Sequence, residues 1–327
     1  MTVKTALIYG WYNKGNIGDQ LFIESFRQLF PDFIFTFTDL ITVELLKANS
    51  TVIFGGGAFL LQAPQIEDAA QALLEQKSIF YIGVGAETVI HPTHEKLIKL
   101  AKLVAIRTPQ TLDQVKALNN NTMVIPDIVY SLQEKISKSI AKNKSVLILP
   151  NITVVPKYND PQWKHAAWGY FKSEFCQFLD HLVDEGFNLH FLSMCSNKVM
   201  DDRWAASEIV SHMEHRDSDY FINELPTDLS SLSEEFSKHE IVITQRFHGI
   251  VLSEMSRVPY IALYHHDKLN NCFPNEGNYL SYYGLTKQNL IEQFNITKRM
   301  NYSTLLPIET NIFEILQQSF RKLQSEE

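Results

Sequence analysis

Short apolar runs, each stopped by glycine, proline or a polar turn and then followed by a helical pattern, recur along this chain. Thr5 to Tyr9 stops at Gly10, Thr51 to Phe54 at Gly55-Gly56-Gly57, Ile79 to Val84 around Gly83 and Gly85, and Val146 to Leu149 at Pro150-Asn151. Runs this short without polar alternation read as strands buried on both faces. Helices placed between such strands make crossovers, so the sheets they build are parallel. The class is therefore α/β. The 327 residues leave room for about two domains. The alternation runs twice, over 1–138 and again over 139–305, with the polar stretch Gln133 to Lys144 as a linker or bridging helix. We expect two Rossmann-like domains facing across a cleft, with an amphipathic tail helix over 310–323 packing back on the first.

One strand–turn–helix–strand unit carries most of the chemistry. It reads IVITQRFHGIVLSEMSRVPYIALYHHDK from Ile241 to Lys268. Its polar turn, Gln245-Arg246-Phe247-His248, sits between the carboxyl end of a strand and the amino end of a helix. Open α/β sheets bind ligands there, and the helix dipole favours anions. Arg246 offers a planar fork for a carboxylate or phosphate, and His248 titrates near neutrality and can move a proton. A surface arginine beside a satisfied capping histidine is the competing explanation.

The remaining strand ends are also polar or glycine-rich. The loop Gly10 to Asp19 follows the first strand, and Asp19 is expected to cap a helix from about Gln20 to Phe30. Its spacing matches neither GxGxxG nor a P-loop. The triple glycine 55–57 implies a close approach to the backbone, by substrate or by a neighbouring loop. Arg107 and Asp127 fall at the ends of later strands. A long irregular stretch, Asn151 to Gly169, holds Trp163 and Trp168, for which packing a loop onto the core is the commoner use. Asn275 to Tyr283 reads as a loop, and Asp201-Asp202-Arg203 as an acidic helix start with a structural role.

A net charge of −8 argues against general nucleic-acid binding but leaves room for a local basic pocket. Three widely spaced cysteines, Cys176, Cys195 and Cys272, with no CxxC, argue against a disulfide framework and a structural zinc site and favour a reducing compartment. The first apolar segment reads as a strand rather than a signal peptide, and no segment is expected to form a membrane span. A cytoplasmic protein is expected, with peripheral contact to a membrane-bound substrate left open. His91, His94, His265 and His266 form no recognisable ligand set, so no metal is expected.

Two Rossmann-like halves with a cleft describe a GT-B-like architecture. Several motifs then line up: the Gly10–Asp19 loop, Phe54-Gly55-Gly56-Gly57, Tyr81-Ile82-Gly83-Val84-Gly85, Ile106-Arg107, Pro126-Asp127, Thr244 to His248, and Tyr264-x-x-Asp267-Lys268. In this order, over about Ala6 to Lys268, the chain resembles the polysaccharide pyruvyl transferase family. The resemblance implies transfer of an enolpyruvyl-derived unit from phosphoenolpyruvate to a sugar, forming a cyclic ketal and releasing phosphate, without a cofactor. It implies that Arg246 contacts phosphoenolpyruvate and His248 is the acid/base. The backbone at Phe247 would help hold phosphate, and Lys268 would hold an anionic oxygen. Arg107 matches the family's arginine, but the acid that follows it there is Thr108 here. Asn16, Gly18, Asp19, Gly56, Gly57 and Asp127 complete the expected substrate-binding set. The acid that protonates the methylene carbon is left open between Asp19 and Asp127. The acceptor would be a glycan or lipid-linked sugar. The other readings are a GT-B glycosyltransferase using a nucleotide sugar and a non-catalytic glycan-binding protein of the same fold.

Overall fold

A computed structural model describes residues 4–57, 66, 69–75, 78–85, 90–138, 143–151, 161–197, 201–216, 221–223, 228–264, 278–300 and 311–325. The chain divides into two compact units, Met1–Leu132 with Pro307–Glu327, and Gln133–Leu306.

The first unit contains β1 (Lys4–Tyr9), α1 (Ile17–Leu29), β2 (Phe33–Thr38), α2 (Val43–Ala48), β3 (Thr51–Gly55), α3 (Ala70–Leu74), β4 (Ser78–Val84), α4 (Pro92–Leu100), β5 (Leu103–Ile106), α5 (Leu112–Lys116) and β6 (Thr122–Val124). Its strands lie in the order β2-β1-β3-β4-β5-β6, all parallel. Strands β3, β4 and β5 are buried at every position, as their unbroken apolar sequences require. The edge strand β2 instead alternates between half-buried and exposed positions, with Phe33, Phe35 and Phe37 on one face.

The second unit contains β7 (Ser145–Leu149), α6 (Pro161–Asp184), β8 (Asn188–Leu192), α7 (Asp202–Ser211), β9 (Phe221–Asn223), α8 (Leu229–Ser237), β10 (Ile241–Thr244), α9 (Phe247–Ser256), β11 (Tyr260–Tyr264), β12 (Tyr279–Ser281) and α10 (Lys287–Arg299). The last helix, α11 (Asn311–Ser325), belongs to the first unit. There Phe320, fully buried, packs its ring 4.5 Å from Phe80 and 4.6 Å from Phe30. The second sheet is also parallel throughout, in the order β12-β11-β10-β7-β8-β9.

Three local expectations change. The α1 cap is Asn16, whose side chain accepts from the Gly18 N–H at 3.0 Å, so Asp19 falls inside the first turn. The helix α6 starts at Pro161, not near Tyr170, because proline in a first helical turn lacks only an N–H that would go unused there. Trp168 is therefore helical. Its indole N–H donates to Glu208 at 3.0 Å and its ring stacks on Phe171 at 5.7 Å. The expected loop at 275–283 contains the short edge strand β12. Among the described residues, no helix is long and apolar enough to cross a membrane.

Candidate active site

In the second sheet the chain moves outward from β7 to β9 and then returns to place β10 on the other side of β7. Loops leaving the carboxyl ends of two such strands diverge, and open α/β sheets bind their ligands there. Here those loops are Pro150-Asn151 after β7 and Gln245 to His248 around the start of α9.

The two loops are pinned to each other. The Gln245 N–H donates to the Leu149 carbonyl at 3.0 Å, and the Asn151 N–H donates to Gln245 Oε1 at 2.9 Å. The Thr244 hydroxyl accepts from the Arg246 N–H at 2.9 Å and donates to the Arg246 carbonyl at 3.0 Å. Arg246 is the N-cap of α9 with extended backbone, which puts Phe247 and His248 in the first helical turn. Gly249 makes this possible. A Cβ there would lie 2.2 Å from Thr244 Oγ1 and 2.6 Å from Leu149 Cδ1. Only glycine lets the first turn of α9 rest directly on the ends of β10 and β7. His248 and Phe247 are half-buried, with ring centroids 5.2 Å apart.

Arg246 is held by Asp202, a residue read from the sequence as structural and left out of the expected site. Its Nε donates to Asp202 Oδ2 at 3.0 Å, and its Nη2 pairs with Oδ1. Asp202 opens α7 and is fully buried, and its Oδ2 also accepts the Met194 N–H at 3.0 Å. Burial pushes the Asp202 carboxyl above its ordinary range, against the pull of Arg246 and of the Met194 and Cys195 backbones. Nη1 of Arg246 makes no hydrogen bond among the described residues, and the side chain keeps 16% exposure. A planar cation is thus oriented by one edge, with the remaining nitrogen able to meet an anion. Asp202 reaches Arg246 because β8, which precedes α7, lies beside β7 and delivers its loop to the same sheet edge.

The first sheet reverses between β1 and β3. The loop 10–16 and the glycines 55–57 leave from these two strands. The Tyr12 hydroxyl donates to the Gly55 carbonyl at 2.7 Å. A Cβ on Gly10 would sit 2.6 Å from that same oxygen, and one on Gly56, at φ +80, would sit 2.8 Å from the Phe22 ring. At Gly55 and Gly56 the Phe26 and Phe22 rings come within the space a Cβ would need. Gly57, at φ +73, accepts the Gly85 N–H through its carbonyl at 2.8 Å. Burial, and then the nearby Asp19, hold the Tyr12 phenol well above its ordinary value.

Arg107 and Asp127 meet. Arg107 Nη1 pairs with Asp127 Oδ2, and both side chains are only 2% exposed. Asp127 Oδ1 also accepts the Val129 N–H at 3.0 Å, and the guanidinium lies 5.8 Å from the Phe22 ring centroid. The carboxylate that Thr108 does not supply therefore comes from the end of the next strand. His94 hydrogen-bonds the Tyr81 hydroxyl at 3.0 Å, and His91 accepts from the Thr93 N–H as the α4 cap. Lys268, Asp267, His265 and His266 lie outside the described residues, as do residues 152–160 and 275–277 of the two irregular stretches.

Several solved structures share the fold. UDP-GlcNAc 2-epimerase from Neisseria meningitidis, bound to UDP-GlcNAc, superposes with a TM-score of 0.59 at 12% identity, covering 97% of this chain and 99% of that one. MurG from Acinetobacter baumannii gives 0.52 at 13% identity, with 98% and 99% covered. The S. aureus MnaA–UDP structure gives 0.54 at 12% identity, with 91% and 92% covered. At these identities the likeness establishes the fold, which is GT-B-like. No curated protein matches the chain by sequence. The family model for polysaccharide pyruvyl transferase matches residues 16–267, well over half of the chain, and the protein belongs to that family.

Proposed function

We propose that this enzyme transfers a pyruvyl group from phosphoenolpyruvate to a sugar of a cell-surface polysaccharide or its precursor. The observation that carries the reading is the Arg246–His248 turn, a guanidinium and an imidazole two residues apart, held by Gly249 at the reversal point of the second sheet. Phosphoenolpyruvate carries a carboxylate and a phosphate, and a preorganised cation at a helix start suits either.

The reaction needs two additions at one carbon. A sugar hydroxyl adds to C2 of phosphoenolpyruvate as its proton is removed, and the methylene C3 gains a proton to become a methyl. A second hydroxyl then displaces phosphate at C2, closing the ketal and releasing inorganic phosphate. His248 removes a hydroxyl proton or protonates the departing phosphate. Arg246 fixes the anionic donor, and Phe247 contributes its backbone. Lys268 adds positive charge, whereas the expected contribution of Arg107 is neutralised by its buried partner Asp127. Asn16, Gly18, Asp19, Gly56 and Gly57, at the strand ends of the first unit, are proposed as substrate-binding residues in their own right, with Asp127 holding Arg107 behind them. The acceptor is a glycan or lipid-linked sugar, met in the cytoplasm.

The test is phosphate release from phosphoenolpyruvate across a panel of glycan acceptors, with ketal formation followed by mass. His248→Ala is expected to lower both by about 10²–10⁴-fold with circular dichroism unchanged. Undiminished turnover in that variant removes the assignment. Thermal stabilisation by nucleotide sugars and not by phosphoenolpyruvate moves the reading to a glycosyltransferase.

A further inference from the structure

A second cluster of chemically capable side chains lies at the opposite, amino-terminal edge of the second sheet. Glu235 is in the last turn of α8, and His239 follows four residues later, with its N–H still bonded to the Phe236 carbonyl at 3.3 Å. This spacing puts both side chains on one face. His190, the third residue of β8, brings its ring to 4.6 Å from that of His239, centroid to centroid. One ligand atom from each of the three lies within 4.8 Å of the others. A cavity of about 410 Å³ opens beside them, lined also by Asn143, Asn188 and Lys238.

Two features separate this group from an ordinary helical Glu–His pair. Glu235 Oε1 and His239 Nε2 stand 3.4 Å apart, the outer limit of a hydrogen bond. That distance is also about the edge of a tetrahedron around an ion with bonds of roughly 2.0–2.1 Å. The His239 side chain is only 3% exposed, yet its Nδ1 has no hydrogen-bond partner among the described residues. That leaves the long Nε2 contact to Glu235 as the ring's sole hydrogen bond among the described residues, a weak anchor for a buried imidazole that an ion on Nε2 would strengthen.

We propose that His190, Glu235 and His239 form a binding site for a divalent transition-metal ion of the zinc class. Two imidazoles and one carboxylate match that class and not the all-oxygen sets that hold magnesium or calcium. A side-chain rotation of His190 closes the set, and the cavity leaves a fourth position for water. The ion ties β8 to the end of α8 and so braces the intervening segment, which includes α7 and Asp202. The Lys238 ammonium, 3.7 Å from Glu235 Oε2, competes for the same carboxylate.

The experiment uses the untagged full chain, stripped with chelator, titrated with Zn²⁺ by calorimetry and with Co²⁺ by visible absorption. The expected result is one ion per chain, tetrahedral Co²⁺ bands, and a melting temperature raised by Zn²⁺ but not by Mg²⁺. His190→Ala and Glu235→Gln, chosen because neither position is fully buried, are expected to weaken Zn²⁺ binding tenfold or more while keeping the metal-free melting temperature. Lys238→Ala is expected to tighten it. Absence of Zn²⁺ binding, or binding undiminished in both His190→Ala and Glu235→Gln, overturns the proposal.

Discussion

Asp202 grips Arg246 with both of its carboxylate oxygens, from the start of a different helix and 44 residues away in sequence. The arginine proposed to meet the substrate therefore has its direction set by a buried group that itself lies behind the site. Asp202→Asn keeps an acceptor for the Met194 N–H but removes the charge. We expect KM for phosphoenolpyruvate to rise about tenfold, the equivalent of one charged hydrogen bond, with kcat changed less. Destabilisation is expected at or below the roughly 3–5 kcal/mol of a broken buried pair, because Arg246 retains some access to water. Steady-state kinetics together with urea melts check this. A loss of stability with KM unchanged would leave Asp202 a purely structural residue.

The glycine at 249 gives a sharper steric test. Gly249→Ala places a methyl against Thr244 and Leu149, and overpacking of this kind costs about 1–3 kcal/mol. The first turn of α9 must shift, so turnover is expected to fall as well. Gly169→Ala is the control. Gly169 lies exposed in α6, and a methyl added there would meet nothing within 4 Å. Relief of glycine's helix cost should stabilise by about 0.5–1 kcal/mol. Equal effects at the two positions would contradict the packing argument.

Phe320 contacts Phe30, Phe33 and Phe80 from the last helix of the chain. Phe320→Ala should cost about 3–5 kcal/mol, read as a lower denaturation midpoint. Hydrogen exchange should accelerate in β2, β4 and α11 more than in β7 to β12, because the lost contacts all lie in the first unit.

Burial, reinforced by the charge of Asp180, pushes the Cys176 thiol up to about 12 from 9.0. The folded chain therefore holds this proton more tightly than the unfolded chain. Its contribution to stability is full below pH 9 and is lost as pH rises from there through about 12. Cys176→Ala should flatten that part of the alkaline limb of the stability curve. At about pH 8, iodoacetamide should modify Cys176 only as fast as the chain opens, measured by peptide mass mapping in increasing urea.

Strands such as β3, β4, β7 and β10 are legible in the sequence because an apolar run buried on both faces has one structural use and a glycine or polar stop at its end. Their order is not, since pairing of β10 with β7 joins Ile241 to Val146 across almost a hundred residues. That order alone decides that the turn at Arg246 falls beside Asn151 and within reach of Asp202. The α1 cap is ambiguous for a local reason. Asn16 and Asp19 both suit a cap, and Gly18 reads as loop until the turn around it is seen. Pro161 likewise reads as an interruption and is the opening of α6. Tyr279 to Ser281 lacks a strand pattern because an edge strand is required to bury little.

The return of α11 to the first unit has a consequence for biosynthesis. A ribosome releases the strands β1 to β6 before the second unit, but the aromatic side chain that seats against Phe30 and Phe80 emerges only after the whole of that unit has been made. The intervening Gln133–Leu306 segment is contiguous and has all its own elements before then. Synthesis from the amino end would ordinarily let the leading part mature first. Here the Gln133–Leu306 unit should be finished earlier, with the β1–β6 sheet waiting for its final clasp.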